Sequence, residues 1–459
     1  VSKILIGGLT QAHEILIKGL FEHIGFEVIC LPEPDNEALK IGKIYCNKGQ
    51  CNPIYYTAGS IIKYLFHLKE RRVRDIEKNY LFVTAGSCGP CRFGMYETEY
   101  RKAVKDAGFP EFRIIALQQD EALLNHLREM GFTLKRTAFL SLLRSFVLAD
   151  LINNIYYKTK PYEVEKGSID RWKMQSLDRL YKAIRKGERL VIPLRQVRNA
   201  LSAIQTDYFR LKPKVKITGE FFSQMQEGDA NYRLPGWLIE EGAEPLVEPI
   251  TTWLDYILRT KIQFISERAF RGRYQAGKLI MILFSLKLYI HVLYTLYRKQ
   301  LCQKPDPLKS QKKLARYAQN YYSTKLLGGE GHLEVGKHIY SVAHGNAHLV
   351  ISVKPFGCMS STQSDGVQTK VSHDMDDSLF VTVDTSGDAE VNFKSRVLMK
   401  LHEARERALS EFEFAKKKLD LSSRQIALLK EGRPDLKKAS RVLPRKGIST
   451  AVKVLYLIS

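Results

Sequence analysis

The first third of the chain alternates short apolar runs with amphipathic ones, and this rhythm restricts the fold more than any other feature. Lys3 to Ile6 reads as a strand, Gly7-Gly8 as a turn, Gln11 to His23 as a helix and Phe26 to Leu31 as a second strand. A loop around Cys51 leads to a helix from about Tyr55 to Leu68 and a strand at Tyr80 to Thr84. Then come a loop holding Cys88 and Cys91, a helix from about Met95 to Ala107 and a strand at Phe112 to Leu117. Apolar strands separated by amphipathic helices belong in a parallel sheet covered on both faces.

The same rhythm returns later. Residues from about Ala138 to Leu211 are helical and highly charged, without strand signals. Lys214 to Thr218 then reads as a strand, Trp237 to Gly242 as a helix end and Pro245 to Glu248 as a strand. After a long helical stretch follow a helix at Leu333 to Ala343 and strands at His348 to Val353 and Leu379 to Val383. From Ser395 the chain is a basic amphipathic helix and a tail ending in the strand-like run Ala451 to Ile458. At 459 residues and 44% hydrophobic content there is room for two or three cores. The expected fold is therefore α/β: two Rossmann-like parallel-sheet domains with a site between them, helical insertions and a basic helical C-terminal region. The expected boundaries are 1–137 for the first domain, 138–212 for a helical insert, 213–395 for the second domain with a helical insertion at about 251–325, and 396–459 for the C-terminal region.

The formal charge is +23, concentrated at Arg71 to Arg74, Lys158 to Lys186, Lys309 to Arg316, Lys416 to Lys418 and Arg433 to Lys446. Such a field attracts acidic proteins, phosphate-rich ligands, nucleic acid or anionic membrane without choosing among them, and solvated helix faces give the same count. The longest apolar stretch, Leu279 to Leu296, contains Lys287 and His291. A charge near the middle is costly in hydrocarbon, so the expectation is a buried helix between domains and no transmembrane segment. The first residues show no basic segment followed by an apolar one, which makes the cytoplasm the expected location. Seven cysteines, an odd number, argue against a disulfide framework and for thiols kept reduced or bound to metal.

Four of those cysteines lie in Gly/Pro-rich turns beside strands or helices: Cys51, Cys88, Cys91 and Cys358. Thiolates hold iron-sulfur clusters and structural zinc, and two cysteines separated by two residues can wrap one centre while distant ones complete it. The Cys88/Cys91 loop follows one strand and the Cys358 loop another, so both belong at carboxyl edges of sheets, where ligands collect. One centre held by all four sulfurs would sit in the cleft between the domains. Cys46 is a spare, Cys30 reads as a core residue and Cys302 has no partner pattern. Cys88-Gly89-Pro90-Cys91 is also a dithiol sequence of thioredoxin-like oxidoreductases. Gly331 to Lys337 imitates a phosphate-binding loop, but His338 stands where a hydroxyl is needed and no strand precedes it. Gly7-Gly8 lacks the remaining glycine of a dinucleotide fingerprint. His344 and His348 read as loop histidines. Glu220, Glu334 and Asp365 are carboxylates near plausible clefts, with no acid or base role assigned.

Taken in order, Gly49-Gln50-Cys51-Asn52-Pro53, Cys88-Gly89-Pro90-Cys91-Arg92-Phe93-Gly94-Met95-Tyr96, Lys354-Pro355-Phe356-Gly357-Cys358-Met359-Ser360-Ser361 and Thr385-Ser386-Gly387-Asp388 resemble the 2-hydroxyacyl-CoA dehydratase and activase-associated proteins. The resemblance spans roughly Lys3 to Met399, and the Cys-x-x-Cys pair places the chain nearest the activase-associated branch. It implies two α/β domains clasping an iron-sulfur cluster at their interface. It also implies a separate ATP-dependent activase of the actin-like superfamily as donor of a low-potential electron. Dehydratase members reduce a thioester carbonyl to a ketyl radical anion and expel a β-side hydroxyl; double-cubane members reduce small molecules. Carried over residue by residue, it assigns Cys51, Cys88, Cys91 and Cys358 as ligands of a 4Fe-4S cluster, a larger cluster remaining open. It further implies an acyl-CoA or other small-molecule substrate and admits a homodimer. The competing readings are a zinc-stabilised nucleic-acid-binding protein using the basic helices, and a dithiol oxidoreductase acting through Cys88 and Cys91.

Overall fold

The computed structural model describes residues 3–86, 91–117, 136–268, 274–326 and 328–459. Two four-stranded sheets organise the chain. The first has the order β2-β1-β3-β4, with β1 Lys3–Ile6, β2 Val28–Cys30, β3 Tyr80–Ala85 and β4 Arg113–Leu117. The second repeats that order as β6-β5-β7-β8, with β5 Lys214–Gly219, β6 Glu244–Leu246, β7 Leu349–Pro355 and β8 Phe380–Thr385. Every neighbouring pair is parallel, with Leu5 beside Phe82 and Ile217 beside Ile351. In each sheet the chain steps outward to one edge and then crosses to the other side. This creates a switch point between β1 and β3, and another between β5 and β7, where diverging connections leave a crevice.

Burial explains the strands. Leu5, Ile217, Ile351 and Val353 are fully buried because helices cover both faces. The alternation Lys214-Val215-Lys216-Ile217 would suit a half-exposed strand, yet β5 is buried throughout. Its two lysines are tolerated because Lys214 pairs with Glu244 at 3.1 Å and Lys216 with Glu248. Helix Asn36–Tyr45, absent from the sequence reading, crosses helix Asn52–Glu70 with almost no gap. A Cβ on Gly42 would lie 1.9 Å from the Tyr55 carbonyl oxygen, and one on Gly59 1.7 Å from that of Ala38. Only glycines permit that approach.

Helices Arg136–Thr159, Ser168–Arg185 and Val191–Ser202 share a core with the C-terminal half of helix Tyr274–Gln300, built on Leu148, Ile152, Trp172, Val197, Ile290 and Tyr294. Asp150 welds this layer to both sheet units. Its carboxylate accepts from the Ile250 and Thr251 amides at 2.8 and 2.7 Å and lies 3.3 Å from His13 Nε2.

Two expectations are corrected. Leu279 to Leu296 is not a buried helix between domains: only 17% of the most apolar stretch of residues 276–300 is buried. The tail from Ala451 to Ile458 is helical, within Thr450–Ile458. Ser449 caps it by accepting from the Val452 amide, and Ala451, Val452, Val454 and Leu455 are buried. Tertiary burial on one helical face overrides the strand-like composition. Among the described residues, two helices, Thr137–Tyr162 and Ala276–Gln300, are long and apolar enough to cross a membrane. The first is mostly buried in the helical core, and the second is tied to Asp255 by Lys287 and His291.

Candidate functional site

The carboxyl ends of the two sheets face each other, and the loops leaving them touch. Cys51, Cys91 and Cys358 each stand immediately before a helix, at the starts of Asn52–Glu70, Arg92–Met95 and Met359–Asp374. The Asn52 amide, one residue past Cys51, donates to the Phe356 carbonyl of the other sheet unit at 3.1 Å. Arg92 Nη1 donates to the Gly49 carbonyl at 2.6 Å. Gly357 has φ +81, and a Cβ there would lie 3.4 Å from Gln50 O, 3.5 Å from Cys51 Cα and 3.6 Å from Arg92 Nη1. The helix-to-helix loop at Cys51, the segment after β3 and the loop after β7 therefore converge, and glycine at 357 serves the left-handed turn, while a Cβ there would meet its neighbours only in ordinary van der Waals contact. Cys88 lies outside the described residues.

Cys51 and Cys358 are buried and Cys91 is partly so. Helix N-termini favour thiolates, but burial outweighs that field here. Desolvation, followed by neighbouring carboxyls, pushes the Cys91 and Cys358 thiols up to about 12 and also raises Cys51. The Tyr96 hydroxyl, 2.9 Å from Cys51 Sγ, and Arg92 pull Cys51 back down in part. Glu220 acts on all three sulfurs, and Glu330 on Cys91 and Cys358. Burial raises the Glu220 carboxyl, although it caps a short helix by accepting from the Phe222 and Ser223 amides at 3.0 and 2.9 Å. Burial, reinforced by Glu220 and Glu334, lifts Glu330 to about 8; the Trp253 indole N–H donates to it at 3.0 Å. Burial therefore holds these thiols protonated unless a cation neutralises them.

Thiolates are the donors that an iron-sulfur group takes. Among the described residues, however, no three His, Cys, Asp or Glu side chains group closely enough to hold a metal ion. Of the sequence candidates, Cys51, Cys91 and Cys358 are brought onto touching loops. Cys46 is buried on the same core as Cys51, its thiol pushed up to about 12 by burial, while Cys302 is exposed. Glu334 and Asp365 fasten the helix after Cys358: Ser361 Oγ donates to Glu334 at 2.9 Å, and Asp365 accepts from Ser352 Oγ at 2.6 Å.

The phosphate-loop imitation at Gly331 to Lys337 is a helix start, and Lys337 is fully buried with Gln224 Oε1 at 3.3 Å. His344 stacks on Tyr340, whereas His348 accepts from the Lys214 amide and contacts Glu411. Sequence reasoning missed Glu330 and Tyr96. The signal for Glu330 was a carboxylate inside the glycine run Gly328-Gly329-Glu330-Gly331; for Tyr96 there was none beyond its position after Cys91. Comparison with known proteins finds neither a family model that matches the chain nor a matching curated protein.

Proposed function

We propose that this chain is an iron-sulfur protein like the 2-hydroxyacyl-CoA dehydratase and activase-associated proteins. It would receive low-potential electrons from an ATP-dependent activase of the actin-like superfamily and pass them to a small-molecule or acyl-CoA substrate in the reducing cytoplasm. The observation that carries this reading is the meeting of the Cys51, Cys91 and Cys358 loops across two sheets, sealed by the Asn52 to Phe356 hydrogen bond. In this reading Cys51, Cys91 and Cys358, with Cys88, hold a 4Fe-4S cluster, which supplies one-electron chemistry when bound. With Cys51 ligating as a thiolate, the Tyr96 hydroxyl 2.9 Å away would donate to its sulfur, and hydrogen bonds to sulfur raise a centre's potential. Glu220 and Glu330, both buried, keep negative charge beside the sulfurs once ionised and lower it. Phe356, Met359 and Met95 are exposed on the same loops and give a donor protein an apolar rim to dock on.

Anaerobically purified protein should be brown and contain iron and acid-labile sulfide. Exchange of Cys358→Ala should remove most of the iron while leaving the secondary structure unchanged by circular dichroism. Colourless protein with one zinc per chain would replace this reading with the structural-zinc one. Iron content indifferent to Cys358→Ala would remove the cluster from between the sheets.

A further inference from the structure

Helix Tyr274–Gln300 has an unusual surface. Met281, Phe284, Leu288, Val292 and Leu296 are 46% to 67% exposed, and their spacing of three and four residues sets them in one stripe. Lys278 and Lys299 continue the stripe at its two ends, both exposed and without an ion-pair partner among the described residues. They stand about 32 Å apart along the helix. The helix contains no acidic residue. Its opposite face is anchored in protein: Ile290, Leu293 and Tyr294 are buried, and Lys287 and His291 contact Asp255 at 2.8 and 2.9 Å.

We propose that this stripe is a docking surface for an anionic lipid bilayer, with the helix lying in the plane of the headgroups. Isolated exposed apolar residues are ordinary, but a continuous four-turn stripe ending in cations is the pattern of an interfacial helix. Apolar side chains enter the acyl boundary while Lys278 and Lys299 reach lipid phosphates, and the +23 chain adds long-range attraction. Spanning is ruled out by the ion pairs that hold the middle of the helix to Asp255. A second copy suits the stripe less well. Antiparallel pairing centred on Leu288 sets Lys278 against the partner's basic C-terminal end, and parallel pairing sets each lysine against its own counterpart, so like charges meet either way.

The test is flotation of the full chain with vesicles of phosphatidylcholine alone and with about one third phosphatidylglycerol, at low and high salt. Binding to the anionic vesicles, weakened by salt, is expected. The double variant Phe284→Ser, Leu288→Ser should lose at least about tenfold in binding, since each side chain leaves an apolar phase. The variant Lys278→Glu, Lys299→Glu should lose preference for phosphatidylglycerol. All four positions are exposed, and unchanged circular dichroism will verify the fold. Three results overturn the proposal: no flotation with either vesicle; anionic binding that survives Phe284→Ser, Leu288→Ser, which means bulk charge alone; or a dimer in light scattering that the same substitutions dissociate, which means a second copy covers the stripe.

Discussion

Glu330 sits in a recess where its charge is opposed by burial, Glu220 and Glu334, so its proton is held to about pH 8. An unfolded chain releases that proton near the ordinary carboxyl value of 4.5. Below that value both states are protonated and the group contributes nothing to pH dependence. Between it and about 8 the folded state binds more protons, so stability falls as pH rises, by a total on the order of a few kcal/mol. Glu334, raised by burial to about 7, adds to the lower part of the window. In metal-free protein, Glu330→Gln should flatten the decline in denaturation midpoint between roughly pH 5 and 8. Parallel wild-type and variant curves would show that the carboxyl is ionised throughout. The sulfurs' environment was not readable from spacing, because Glu220 lies 129 to 169 residues from the three cysteines and Glu330 lies 239 from Cys91, although only 28 from Cys358.

At the scale of elements, the crossing of helices Asn36–Tyr45 and Asn52–Glu70 positions the Cys51 loop. Gly59→Ala would drive a methyl group to 1.7 Å from the Ala38 carbonyl oxygen, so the two helices must separate. The expected loss is about 3 kcal/mol or more in urea unfolding. Gly366, exposed in helix Met359–Asp374, provides the contrast, since a methyl group added there would meet nothing within 4 Å. Gly366→Ala should stabilise by about 0.5 kcal/mol or more through the unfolded chain. If both substitutions behave alike, helix propensity and not close approach governs the crossing. The strands and most helices were legible from apolar periodicity. Helix Asn36–Tyr45 was not, although Ala38, Leu39, Ile41, Ile44 and Tyr45 are spaced for one, since Gly42 looks like a breaker until its neighbour is known.

Across the whole molecule, the cleft is closed by bonds between lobes. Gln226 Nε2 donates to the Gly8 carbonyl at 3.0 Å and the Gln11 amide to Glu227 at 3.0 Å, while Asp150 joins His13 to the start of helix Ile250–Arg268. Removing Asp150 leaves the Ile250 and Thr251 amides without their acceptor and takes away the carboxylate 3.3 Å from the buried His13 Nε2. Asp150→Ala should cost about 3–5 kcal/mol in chemical denaturation and split one unfolding transition into two if the lobes then unfold separately. A loss below about 1 kcal/mol would mean that water replaces the carboxylate.

The amino-acid order alone determined two parallel sheets, because alternating apolar strands and amphipathic helices can satisfy backbone and burial in few ways, and it put Cys91 and Cys358 after strands, whereas Cys51 joins two helices. Only the tertiary structure decided that the Cys51, Cys91 and Cys358 loops touch, that Glu220 and Glu330 surround them, and that the most apolar helix keeps one face outside. Those outcomes depend on long-range burial and desolvation, which act between residues that sequence spacing does not connect.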